Sequence, residues 1–209
     1  MKSAALPVAR VVRHDLGLAR HEAAHVLACL AVGGSLVSAR SSADGLCTLV
    51  GLDAGADPTA PGRISLAGPC LEVVIEMIEG EEDPGEMMVQ MLESWRDDAA
   101  HGDGAYLDDM VAANGYVSEV AAWALAFCTV NSDLIDEAAL MIIHAGTPVE
   151  FATFAARFHG RIADVDPEAL DAAERLFVGS LWALERIDEA VAEHLNDAVA
   201  EHLNDQARR

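Results

Sequence analysis

Two histidines four residues apart bracket an acid in the run His21-Glu22-Ala23-Ala24-His25. On an α-helix, side chains at i and i+4 share one face, so both imidazoles can reach a single ion. Zinc accepts imidazole nitrogen at about 2.0–2.1 Å and favours a tetrahedral shell. Glu22, next to the first histidine, belongs beside the metal's water rather than on the metal. There its carboxylate can take a proton from a water whose pKa the ion has lowered. Ala23 and Ala24 favour the helix and leave the pocket uncrowded. With eight histidines in the chain, such a pattern arises by accident at a level of about a few per cent. The flanking sequence argues against accident. The apolar run Val26-Leu27-Ala28-Cys29-Leu30 follows at once, and a helix buried there would not tolerate unpaired His and Glu.

A catalytic zinc needs a third protein ligand and one open position. The residue types allow His14, Glu72, Asp97, Asp98, His101, Asp103, Asp108 or Asp109. No histidine follows His25 closely, which excludes the metzincin spacing. No Glu lies between Glu22 and Glu72, which disfavours a thermolysin-like third ligand.

The elements that must position these groups are mostly helices. Residues 1–14 read as a flexible lead-in, with Asp15 as cap of a helix through His21 and His25 to Val32 and Gly33-Gly34 as its stop. Leu36–Arg40 and Leu46–Val50 flank Ala43-Asp44-Gly45, a β-hairpin signal. Helical character returns from Gly62 to Ile78, breaks at the acidic stretch Glu79–Gly85, and resumes from Met87 to Ala100. Ala105–Val130 reads as a long helical segment with a candidate interruption at Asn114-Gly115, Asn131-Ser132-Asp133 caps another helix through His144, and Val149–Arg161 and Pro167 onward read as further helices. Near the end, Ala190–Asp197 is repeated directly as Ala198–Asp205. A period of eight fits neither a heptad nor a known solenoid repeat, so it reads as local lengthening of a helix. Its histidines, His194 and His202, read as exposed.

Composition supports a mainly α chain. Of 209 residues, 52% are hydrophobic but only 5% aromatic, so the core must be built from Ala, Leu, Val, Ile and Met. The net charge of −22 repels phosphate backbones and argues against nucleic-acid binding. The four cysteines form no CxxC pair and read as small buried apolar residues in a reducing compartment. Trp95, Trp123 and Trp182 read as core or interface anchors, and Met87, Met88 and Met91 as core filling. No leader segment is evident and no run of 18 apolar residues occurs, so no membrane span and a cytoplasmic location are expected.

Ala19-Arg20-His21-Glu22-Ala23-Ala24-His25 resembles the A-x-H-E-A-G-H helix of the FtsH-type ATP-dependent zinc metallopeptidases. Ile64-Ser65-Leu66-Ala67-Gly68-Pro69-Cys70-Leu71-Glu72 is similar to that family's L-A-G-R-A-A-E helix, and Gly104-Ala105-Tyr106-Leu107-Asp108 to its G-A-x-x-D segment. The segments occur in family order and cover roughly residues 15–145. The resemblance implies a helical zincin-like metallopeptidase domain over 15–145 with a small β-hairpin near the active-site helix. Residues 146–209 would be a helical extension packed on the same domain. It implies zinc held by His21, His25 and Asp108, with Glu22 as general base and Asp109 as the rival third ligand. Glu72 matches a family position, either as a ligand or as a carboxylate behind the ligands. It also implies peptide-bond hydrolysis in a polypeptide substrate and a homo-oligomer. The sequence departs from the family at Ala24 (Gly), Pro69 (Arg, which would shift the helix start) and Ala113 (Thr), and in a longer acidic stretch after Glu72. No G-x-x-x-x-G-K-[ST] phosphate loop is present, so unfolding of substrates would fall to a separate ATPase. The other outcome these departures allow is an inactive zinc-binding regulatory protein derived from a peptidase.

Overall fold

The computed structural model describes residues 8–41, 47–50, 53, 57–79, 83, 85–90, 116–145 and 147–180. They are mainly helical. Helix α1 (Val8–Ala31) is followed by strands β1 (Ser38–Ser41) and β2 (Cys47–Val50), then α2 (Ala60–Glu79), α3 (Tyr116–Val130), α4 (Ser132–Ala145), β3 (Val149–Glu150) and α5 (Phe151–Phe158). Residues 85–90 and 167–180 are also helical.

Helix α1 is the central rod. Every residue from Ala23 to Leu30 is buried, because α2 and α4 cover it on two sides and the sheet lies across its C-terminal part. It starts at Val8, so Asp15 lies inside the helix rather than capping it. The reason is covalent: no Pro or Gly stands between Val8 and Gly17, so nothing stops the helix there. The predicted stop at Gly33-Gly34 is a Schellman cap. Gly33 sits at φ 74°, its N–H donates to the Leu30 carbonyl, and the Gly34 N–H donates to the Cys29 carbonyl at 2.8 Å. A Cβ on Gly34 would lie 2.8 Å from the Asp53 carbonyl oxygen, so glycine is required where Ser35 and Asp53 pair.

Strands β1 and β2 pair antiparallel with Ser38 opposite Val50 and Ser41 opposite Cys47. The turn between them lies outside the described residues. On its other side β1 pairs with β3, Ala39 opposite Val149, giving the order β2-β1-β3. Residues 149–150 are therefore strand, not the start of a helix. β-branched Val149 is buried and paired with Ala39 of β1, and that pairing sets these two residues as strand.

Helix α2 begins after Asp57-Pro58-Thr59. The Asp57 carboxylate accepts from the Thr59 N–H and hydroxyl, both at 2.8 Å. These bonds hold its pKa below the usual carboxylate range. Pro69 lies in the interior of this helix, not at its start. It cannot donate to the Ser65 carbonyl, and burial of the whole 64–71 segment against α1 and α3 outweighs that loss.

One apolar core joins these elements. Leu27, Ile64, Met88, Phe127, Ile135, Phe154, Phe158 and Phe177 all belong to it, each at most 1% exposed. Segment 167–180 reaches the core through Ala173 and Phe177, after an Asp166 cap whose Oδ1 accepts from the Ala169 N–H at 2.8 Å. Among the described residues no helix is long and apolar enough to cross a membrane.

Candidate metal centre

His21 and His25 sit one turn apart on α1, their ring centroids 4.8 Å apart and their planes at 75°. His25 is 5% exposed; His21 and Glu22 are half-buried. Each ring is pinned through the same atom. The His25 Nδ1 lies 2.6 Å from the Ile64 carbonyl oxygen, and the His21 Nδ1 lies 3.0 Å from Glu72 Oε1. A carbonyl or carboxylate oxygen only accepts, so Nδ1 must carry the proton in both rings. In the neutral imidazole, Nε2 then bears the lone pair.

Both Nε2 atoms face the same space. A Cβ built on Gly68 of α2 would lie 2.5 Å from the Nε2 of His21 and 2.5 Å from the Nε2 of His25. The same Cβ would lie 2.6 Å from His21 Cδ2, so Gly68 is the position at which both imidazole edges pack against α2. Ile64, Gly68 and Glu72 are spaced by four along α2, so they line one face of it. That face meets the matching four-residue ladder of α1. The donor types fit a divalent transition metal: two neighbouring imidazoles, each with its Nδ1 held by an oxygen.

Glu72 therefore stands behind His21, on the side of the ring away from the shared space. The side chain of His14 is outside the described residues. So are the other third-ligand candidates, Asp97, Asp98, His101, Asp103, Asp108 and Asp109. Among the described residues no cluster of three or more His, Cys, Asp or Glu side chains of metal-holding geometry occurs.

Two further contacts hold the motif in place, and the spacing of residues gave no sign of them. Arg20, adjacent to His21, forms a bidentate pair with Asp136 of α4 at 2.7 and 2.8 Å. Its fork-to-fork geometry fixes the rotation of α1 against α4. The Ile64 carbonyl is backbone and has no side-chain signature. Gly68 did carry a signal, since a lone glycine inside a helical pattern marks a close approach. Cys70 and Cys128 are fully buried, their thiols directed at the Ala121 and Ala67 carbonyls, and burial pushes the Cys70 thiol up to about 12.

No family model, curated protein or solved structure matches the chain.

Proposed function

We propose that this chain is a zinc-dependent metallopeptidase, a helical zincin-like domain of FtsH-like type that hydrolyses peptide bonds in unfolded proteins or peptides. The observation that carries this reading is the adjacency of the His21 and His25 rings on one face of α1, 4.8 Å apart, with both Nε2 atoms beside Gly68 of α2. Each Nδ1 is meanwhile tied to an oxygen. Two adjacent imidazoles in one tautomer, with a glutamate next to the first, are what an HExxH zinc helix requires.

In this proposal His21, His25 and Asp108 hold the ion. Zinc, when bound, supplies Lewis acidity that polarises the scissile carbonyl and eases ionisation of a water. The remaining work belongs to the chain. The Glu22 carboxylate accepts a proton from the attacking water and returns it to the departing amine nitrogen. Glu72 and the Ile64 carbonyl keep both imidazoles in the tautomer that presents Nε2. With no phosphate loop in the sequence, the proposed substrate is already unfolded, or is delivered by a separate ATPase in the cytoplasm.

The test is Glu22→Gln. Protein purified without a His tag should contain one zinc per chain in both wild type and variant, and only wild type should cleave unfolded casein. Equal cleavage by the variant would reject the mechanism. Stoichiometric zinc with no cleavage by wild type across varied peptides would favour the second reading, a zinc-stabilised regulatory protein.

A further inference from the structure

The two histidines are held by opposite halves of α2. The Ile64 carbonyl, in the N-terminal half, takes the His25 Nδ1 proton, and the Glu72 carboxylate, in the C-terminal half, takes that of His21. Midway between these two oxygens stand Gly68 and Pro69. Gly68 is where the backbone of α2 meets the rings, since a Cβ there would lie 2.5 Å from both Nε2 atoms. Zinc sits about 2.0–2.1 Å from an imidazole nitrogen. Two rings that share an ion at Nε2 therefore need this stretch of α2 to stand back from them.

The same stretch is the weakest part of the helix. Pro69 lies inside α2, where it has no N–H for the Ser65 carbonyl and its ring crowds that oxygen. Directly before it, Gly68 has the widest backbone freedom of any residue. Sharp helix bends form at prolines of this kind. On the side away from the histidines, the contacts flanking the pair are soft. The Cys128 thiol donates to the Ala67 carbonyl at 3.2 Å, and the Cys70 thiol to the Ala121 carbonyl at 3.9 Å. Thiols are weak donors, so these contacts offer little resistance to a bend.

We propose that Gly68-Pro69 is a hinge at which α2 bends away from the histidine rings to admit the metal ion. Each half of the helix carries its own oxygen as it moves. Ile64 stays on His25 and Glu72 on His21, so both rings keep the tautomer that presents Nε2. This inference rests on the metal reading above and adds to it the motion that gives the ion access.

The test compares zinc uptake by the full chain, followed by stopped flow with a zinc-responsive dye, in wild type, Pro69→Ala and Gly179→Ala. Pro69→Ala restores the missing N–H and stiffens the hinge. It should melt at or above the wild-type temperature yet take up zinc at least about tenfold more slowly, because the open form is populated less. Gly179→Ala stiffens a helical position with nothing within 4 Å of the added Cβ, and should take up zinc at the wild-type rate. Hydrogen exchange on wild type provides a second readout that stands even if Pro69→Ala does not fold. Without zinc, the amides from Leu66 to Glu72 should exchange faster than those of the equally buried Ala121–Phe127 stretch of α3, and zinc should slow them. Zinc binding by wild type with unchanged uptake by folded Pro69→Ala, or with exchange at 66–72 matching α3 and indifferent to zinc, overturns the hinge and leaves the metal reading standing. No zinc binding by wild type overturns both.

Discussion

Substituting Gly68 by Ala separates a metal centre from a merely polar patch. Gly68 lies mid-helix in α2, where Ala is conformationally acceptable and is favoured over Gly by about 0.5–1 kcal/mol. The added methyl would lie 2.5 Å from both Nε2 atoms, roughly 1 Å inside ordinary contact. One or both rings must swing. The swing breaks the His25–Ile64 bond at 2.6 Å and the His21–Glu72 bond at 3.0 Å, at about 0.5–1.5 kcal/mol each. Gain and loss nearly offset, so net destabilisation should stay below about 2.5 kcal/mol. Zinc affinity should fall far more. Loss of a single orienting partner lowers metal affinity by about 10–100-fold, and here both rings are displaced from theirs, so a loss of at least about 100-fold is expected. The assay is zinc competition against a chromogenic chelator, with circular dichroism to verify folding. Gly17→Ala is the matched control: Gly17 is also helical, with nothing within 4 Å of an added Cβ. It should stabilise the protein by about 0.5–1 kcal/mol and leave zinc affinity unchanged. A folded Gly68→Ala protein binding zinc within about threefold of wild type would refute the idea that both histidines address that space.

Glu72→Gln keeps the shape but removes the charge behind His21, and should weaken zinc by about 10–100-fold in the same competition assay. Phe177→Ala removes a fully buried ring and should cost about 3–5 kcal/mol in urea unfolding, detaching segment 167–180 from the core. Arg161, then Arg157, hold the Glu137 carboxyl down to about 2. Because its folded pKa is depressed, Glu137 contributes stability above its ordinary value near 4.5 that is lost as pH falls towards 2. The melting temperature of Glu137→Gln should therefore approach that of wild type as pH falls from 5 towards 2, the gap being widest at neutral pH. Cys29 and Cys70 have thiols pushed up to about 12 by burial. Mass mapping at pH 8 should find both unmodified by iodoacetamide in the native protein and alkylated in urea.

What could be read from the sequence was what depends on one element at a time. The spacing of His21 and His25 places them on one helical face wherever that helix lies. Gly33-Gly34 stops α1 because a left-handed residue is needed there, and the β1–β2 pairing follows from two short β-prone runs either side of an Asp-Gly. What escaped depends on two elements meeting. Strand β3 is two residues long, and its partner lies over a hundred residues earlier, so no local pattern announces it. Pro69, where the resembled motif has Arg, does not move the start of the helix read from Gly62 to Ile78; the helix runs through it because both of its neighbours in space are apolar helices. The C-terminal repeat and the third-ligand candidates from Asp97 to Asp109 fall outside the described residues.

The register of α2 against α1 is the step that turns a four-residue spacing into a candidate site. On α1, His21 and His25 are one turn apart; on α2, Ile64, Gly68 and Glu72 are each one turn apart. With the helices side by side, the outer members of the α2 ladder take the two Nδ1 protons and the middle member withdraws to hydrogen. A shift of α2 by one residue would turn this face away by about 100°. It would then present Ser65, Pro69 and Val73 instead, a face with no carboxylate behind His21 and a ring where the space must be clear. Burial of polar groups alone explains why each Nδ1 has an oxygen partner. Close packing of the two rings on α2 explains the glycine beside them, in a helix interior where that choice costs about 0.5–1 kcal/mol relative to Ala. The proposed ion is an addition to this packing, and the zinc content of the untagged protein is what separates a metal centre from two packed imidazoles.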